Sequence, residues 1–171
     1  MRILGIDPGY AIVGVGVVDY NNVNFKPIYF TAVTTPAKTD FSIRLKMIFD
    51  SILQIIDNFK PEAMAIEKLY YNTNSKTVID VAEARGVILL AARMRNIPIY
   101  EYTPLQVKSA VTGYGKADKH QVMELTRQLL NLKEVPKPDD TADALAIAIC
   151  HGHSYSALRY NLGRWDNWYI R

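Results

Sequence analysis

The hydrophobic pattern changes period near Phe41, and that switch restricts the chain to a fold mixing strands and helices. Before it, apolar residues come in short, β-branched runs. Residues 2–6 form the first run, closed by the turn Asp7-Pro8-Gly9. Residues 12–19 carry Ile12, Val13, Val15, Val17 and Val18 around Gly14 and Gly16, a second strand. In residues 26–34, Ile28, Phe30, Ala32 and Thr34 alternate with their neighbours, a third. Connections this short make the three an antiparallel meander. From Phe41 to Phe59 the apolar residues Leu45, Ile48, Phe49, Ile52, Ile55, Ile56 and Phe59 step by threes and fours, an amphipathic helix that Pro61 ends.

The rest of the chain alternates. Ala63-Met64-Ala65-Ile66 reads as a buried strand leading into Glu67. Residues 75–95 predict a long helix with Val78, Val81, Ala82, Leu89 and Ala92 on one face, and residues 97–100 a fifth strand. Thr103-Pro104-Leu105-Gln106 has a cap residue, a first-turn proline and a glutamine at capping-box spacing. Asp118 to Gln121 repeats the signature before a helix of about 14 residues. A last helix starts near Pro138 and runs through residues 142–149. The order βββαβαβααα predicts an α/β fold: a five-stranded mixed sheet with helices on both faces. Strands one and four should be parallel neighbours whose C-terminal ends share one edge, where open α/β sheets bind ligands.

At 171 residues with 49% hydrophobic and 22% charged, the chain suits one compact domain and excludes disorder. No stretch approaches the roughly 20 apolar residues of a membrane span. Asp7 interrupts the N-terminal apolar run, which speaks against a signal peptide, and a cytoplasmic protein is expected. The single cysteine, Cys150, lies in an apolar run and is expected to be a small buried hydrophobe.

Four acids stand out by position. Asp7 follows directly on the first core strand and Glu67 on the fourth, where an unpaired buried charge is costly. Asp140 and Asp143 fall at i and i+3 on the last helix and share one face. If that helix starts at the same sheet edge, all four converge, and they cannot all stay ionised without a cation. Each alone has a plainer reading: a turn, a strand-end ion pair, a complement to the helix dipole. Together they form a hard oxygen donor set that favours Mg²⁺, with Mn²⁺ able to substitute. Two ions about 4 Å apart would activate a water and stabilise a leaving 3′ oxygen. Removing four negative charges from a net +3 leaves +7 on the remaining surface, suited to a polyanion.

Leu4-Gly5-Ile6-Asp7-Pro8-Gly9, Ala65-Ile66-Glu67, Ala84-Arg85-Gly86, Gln106-Val107-Lys108 and Ala142-Asp143-Ala144-Leu145-Ala146-Ile147-Ala148 occur in that order. With them the chain resembles the RuvC family of Holliday-junction endonucleases, within the RNase H-like superfamily, over about residues 2–153. The resemblance implies that Asp7, Glu67, Asp140 and Asp143 bind the metals and are catalytic. It implies a homodimer acting on four-way junction DNA in recombination and repair, leaving symmetric nicks with 5′-phosphate and 3′-hydroxyl ends. A branch-migration motor of the RuvA and RuvB type is an implied partner. Lys108 and Lys119 match basic positions important for junction binding or cleavage, and Tyr70 matches an aromatic that stacks on a base at the junction centre. Each also has an ordinary reading, as a solvated lysine or a packing tyrosine.

Arg85 and Arg44 are weaker candidates for phosphate contact, equally readable as surface or salt-bridge arginines. His151 and His153 lie about three helical turns from Asp140 with no acid beside them to complete a metal site, so capping or surface roles are expected. The broad apolar surface of the long helix from Ser75 is expected to form part of a two-fold contact. Residues 1–158 read as the nuclease domain, and residues 159–171, with Arg159, Arg164, Trp165, Trp168 and Arg171, as a C-terminal extension. Competing readings are a non-catalytic junction-binding protein, an RNA-processing nuclease of the YqgF type, and an actin- or Hsp70-like ATPase. The four acids argue against the first, the Gln-Val-Lys segment against the second, and the length against the third.

Overall fold

The computed structural model describes residues 1–69 and 77–162, with side chains through Tyr155. Five strands, β1 (Arg2–Asp7), β2 (Ile12–Tyr20), β3 (Phe25–Thr34), β4 (Ala63–Glu67) and β5 (Ile99–Tyr102), form one sheet in the order β3-β2-β1-β4-β5. The helices are α1 (Phe41–Phe59), α2 (Val78–Met94), α3 (Pro104–Thr112), α4 (Lys119–Leu129) and α5 (Asp139–Leu162). The element order is the one the hydrophobic periods predict. No described helix is long and apolar enough to cross a membrane.

Pairing follows from the connections. The tight turns leave β1–β2 and β2–β3 antiparallel, whereas the crossover through α1 makes β1 and β4 parallel, with Ile6 beside Ile66. The strand period of two then sorts side chains between two cores. Leu4, Ile6, Val13, Val15, Val17, Met64 and Ile66 pack with Ile48, Ile52, Ile56 and Ile88 from α1 and α2. Ile3, Val18 and Ala65 pack on the other face with Leu145, Ile147 and Ile149 of α5 and with Val107, Val111 and Val122 of α3 and α4. Each fully buried branched side chain contributes roughly 1.5–3 kcal/mol of transfer free energy. Residues 7 and 67 continue the alternation of Ile3 and Ala65, so sequence parity directs both acids to the α5 face.

The helix α5 lies between the sheet and the α3–α4 pair, which explains why residues 144–150 are all buried and no polar stripe shows in its sequence. It sits unusually close to the sheet. A Cβ on Gly5 would stand 2.1 Å from the Ala144 carbonyl oxygen, and one on Gly14 would stand 1.9 Å from that of Asp140. Only glycine admits that approach.

Both expected capping boxes form: Thr103 with Gln106, and Asp118 with Gln121. Three details differ from expectation. The fifth strand occupies Ile99–Tyr102 rather than residues 97–100, because Asn96 turns with φ of 57° and the amide of Ile97 closes back on the Ala92 carbonyl. The fourth helix has 11 residues rather than about 14, ending where Asn131 takes φ of 51°. On α2 the buried row is Ala84, Ile88, Ala91 and Ala92, while Ala82 is exposed. The row that wins is the one whose small residues let α1 pack closely, a choice that hydrophobicity alone does not make.

Histidine 151 also departs from the capping or surface role expected of it. It is fully buried, with Nδ1 2.7 Å from the Tyr102 hydroxyl, and burial lowers its pKa to about 4. His153 is half-buried against Phe25 and Tyr20, with Nδ1 3.0 Å from the Ala110 carbonyl. Both are packing residues that tie α5 to β5 and α3. Cys150 is buried, as expected.

Candidate active site

Asp7 ends β1, Glu67 ends the parallel β4 beside it, and Asp140 and Asp143 lie in the first turns of α5 above them. The four sense one another. Burial, then the charges of Asp143, Glu67 and Asp140, push the Asp7 carboxyl up to about 8, with Lys119 pulling the other way. Glu67 is raised by burial and by Asp143. Asp143 is raised by burial, opposed by Lys119, and raised further by Asp139 and Asp140. These carboxylates have too little positive charge around them to ionise freely.

Lys119 supplies part of what is missing. Its Nζ lies 3.2 Å from Asp143 Oδ2 and 3.3 Å from Asp139 Oδ2. Lys119 is the first residue of α4, so the Asp118 capping box fixes its backbone and aims it at the start of α5. Lys108, on α3, lines with Glu67, Lys119 and Asp143 a cleft of about 250 Å³. A second cleft of about 280 Å³ holds Asp7, Glu67, Lys68 and Pro104. Glu67 and Pro104 border both, so Asp7, Glu67 and Asp143 sit where two shallow grooves meet. A larger depression of about 540 Å³ around Met1, Arg2, Asp19 and Glu62 lies at the opposite end of β1, its arginine already paired with Asp19.

Two other candidates are structural braces. Arg85 is mostly buried, pairs with Glu101 at 2.8 Å, and points Nε at the Glu67 carbonyl 3.5 Å away. It ties α2 to the ends of β4 and β5 and supports Glu67 from behind. Arg44 is buried, donating to Thr35 Oγ1 at 2.8 Å and lying over the Tyr10 ring. Tyr70 lies outside the described residues. Asp139, next to Asp140 at the start of α5, also reaches the site through Lys119. Its signal was the i, i+4 spacing to Asp143, which puts both on one face.

A divalent cation can be tested against this donor set. Among the described residues, no three acidic, histidine or cysteine side chains stand together as a finished cage. The chemistry nevertheless fits: four hard carboxylates, mutually coupled, half-buried, with no sulfur or imidazole among them. The raised pKa values of Asp7, Glu67 and Asp143 are what burial beside like charges, without a cation, produces.

A mixed sheet of this order, with acids at the ends of its two central strands and on the helix across them, is an RNase H-like fold carrying the donor set that a metal-dependent nuclease uses. Comparison with known proteins narrows the class. A family model described as crossover junction endodeoxyribonuclease RuvC matches residues 3–151. A crossover junction endodeoxyribonuclease RuvC of Caldanaerobacter subterraneus subsp. tengcongensis is 54% identical over 165 residues, covering 96% of this chain and 100% of that protein. The structure of Thermus thermophilus RuvC superimposes with a TM-score of 0.85 at 34% identity, covering 93% of this chain and 97% of that one. A second T. thermophilus RuvC structure, solved in complex with Holliday junction substrate, also gives 0.85, at 32% identity and coverages of 92% and 96%. The chain belongs to the RuvC family of crossover junction endodeoxyribonucleases.

Proposed function

We propose that this chain resolves four-way DNA junctions by hydrolysing phosphodiester bonds at the cluster of Asp7, Glu67, Asp140 and Asp143. The observation that carries this reading is the mutual coupling of those acids, with Asp7 pushed up to about 8. The family supports the substrate, since a relative was solved with a Holliday junction. The four carboxylates would hold Mg²⁺, two ions per site, with Mn²⁺ able to replace it. When bound, the metal would supply an activated water and neutralise the leaving 3′ oxygen, giving 5′-phosphate and 3′-hydroxyl ends.

The remaining work falls to the chain's own groups. Lys108 and Lys119 border the groove beside the acids and would orient the scissile phosphate. Arg85 would act on DNA only indirectly, by steadying Glu67. The basic surface outside the acidic cluster would follow the sugar–phosphate backbone. Tyr70 would stack on a base at the junction centre. Residues 1–158 would form the nuclease domain and 159–171 an extension, although the backbone of α5 runs on to Leu162. The setting would be the cytoplasm, with a branch-migration motor of the RuvA and RuvB type delivering the junction.

Cleavage of a synthetic mobile four-way junction beside a matched linear duplex tests the reading. Paired, symmetric nicks in the junction are expected with Mg²⁺ and none with EDTA. Equal cutting of linear duplex would remove junction resolution as the function.

Two cuts placed symmetrically need two copies. On α2, Ile79, Leu90 and Met94 are exposed in one stripe, and Ile43 and Met47 are exposed on the neighbouring α1. A surface of this kind fits a two-fold contact. The wild type should sediment as a dimer at micromolar concentration, and Leu90→Glu should shift it to monomer without lowering its melting temperature by more than a few degrees. A wild type that sediments as a monomer would remove the symmetric-cleavage scheme.

A further inference from the structure

Lys119 is gripped by two carboxylates, and one of them, Asp139, has no place among the four proposed metal ligands. Asp139 and Asp143 lie one turn apart on α5, at i and i+4, and the ammonium spans them from α4. The two partners differ in setting: the Asp143 side chain is 30% exposed and that of Asp139 57%. The ammonium therefore sits on the boundary between the acid cluster and solvent. Attraction to both acids outweighs burial and keeps the charge on Lys119.

This arrangement poses a competition. An ammonium on Asp143 Oδ2 covers an oxygen that a divalent cation would need. Once the cation takes Asp143, that carboxylate no longer attracts Lys119, whose four-carbon stem has many alternative rotamers. Asp139 remains as a second anchor.

We propose that Asp139 is a positioning residue for Lys119, holding the ammonium at the mouth of the cluster so that it yields Asp143 to the cation and stays in the path of the incoming phosphate. The inference rests on the reading that the four acids bind a divalent ion. Without Asp139, Lys119 falls back wholly on Asp143 and competes with the metal.

A double-mutant cycle read by Mn²⁺ binding, measured by calorimetry without DNA, tests this. Asp139→Asn should weaken Mn²⁺ binding by roughly three- to five-fold, the scale of a partly exposed ion pair. Asp139→Glu should restore most of the loss. In a Lys119→Met background, where the competitor is gone, Asp139→Asn should change nothing. Equal weakening in both backgrounds would mean that Asp139 acts on the ion directly, and no weakening in either would mean that it does not act; each result overturns the proposal. Wild-type protein that binds no Mn²⁺ would remove the metal reading and this inference with it, whereas additive losses remove this inference alone. Asp139 is exposed, so all four variants should fold, and equal melting temperatures across them are part of the measurement.

Discussion

Asp7→Asn protein should bind a four-way junction, fail to cut it, and melt at a higher temperature than the wild type when both are free of metal. The loss of cutting should exceed about a thousand-fold, the scale seen when a group central to charge stabilisation is removed. The gain in stability follows from the carboxyl's environment. Its pKa is 3.8 when unperturbed and about 8 in the fold, so between those values the folded chain binds more protons than the unfolded one. Stability therefore falls as pH rises from about 4 to about 8, and asparagine removes that penalty. At pH 8 without metal the variant should be more stable by about 2 kcal/mol, several degrees in Tm. At pH 5 the difference should shrink, and saturating Mg²⁺ should reverse it by stabilising only the wild type. Thermal melts at the two pH values with EDTA or Mg²⁺ check this. A wild type as stable as the variant at pH 8 in EDTA would mean that burial and the neighbouring acids do not penalise the Asp7 charge.

Gly14→Ala should be among the most damaging single-methyl additions in the molecule. The new Cβ would lie 1.9 Å from the Asp140 carbonyl oxygen and 2.5 Å from its carbon, both backbone atoms that no rotamer can move aside. Either β2 or the first turn of α5 must shift. Overpacking of this kind costs about 1–3 kcal/mol, with more expected against backbone. The consequence reaches the site, because the displaced turn carries Asp140 and, one turn on, Asp143. Urea denaturation should show the lost stability, and folded Gly14→Ala should bind Mn²⁺ at least ten-fold more weakly than the wild type. Unchanged stability and metal affinity would show that α5 does not need this close approach to the sheet.

The strands, the two capping boxes and the four acids were legible because each rests on local chemistry. Parity along a strand decides which face a residue takes, and an acid directly after a core strand is conspicuous at Asp7 and Glu67. What escaped depends on packing partners far away in sequence. The buried face of α2 was misjudged because Ala84 and Ala91 are chosen for small size against α1, while larger Leu90 is left outside. The burial of His151 depends on Tyr102, 49 residues earlier, offering a hydroxyl. Arg85 is readable from sequence as a phosphate contact or a salt-bridge arginine, but its partner, Glu101 on β5, comes beside it only in the fold. Asp139 stood next to a better candidate and was passed over, although its bridge to Lys119 needs only the meeting of two helix starts.

The site draws Asp7 from the first strand and Asp140 and Asp143 from the last helix, with β1 and α5 packed directly together. A ribosome making this chain has therefore emitted the sheet, four helices and most of both cores before the proposed cluster of acids can be complete. On the proposed reading a nascent chain cannot nick nearby DNA during synthesis, and a fragment ending before residue 139 should be inert however well it folds. Competence as a nuclease would then arrive late, once the final helix packs over Gly5 and Gly14.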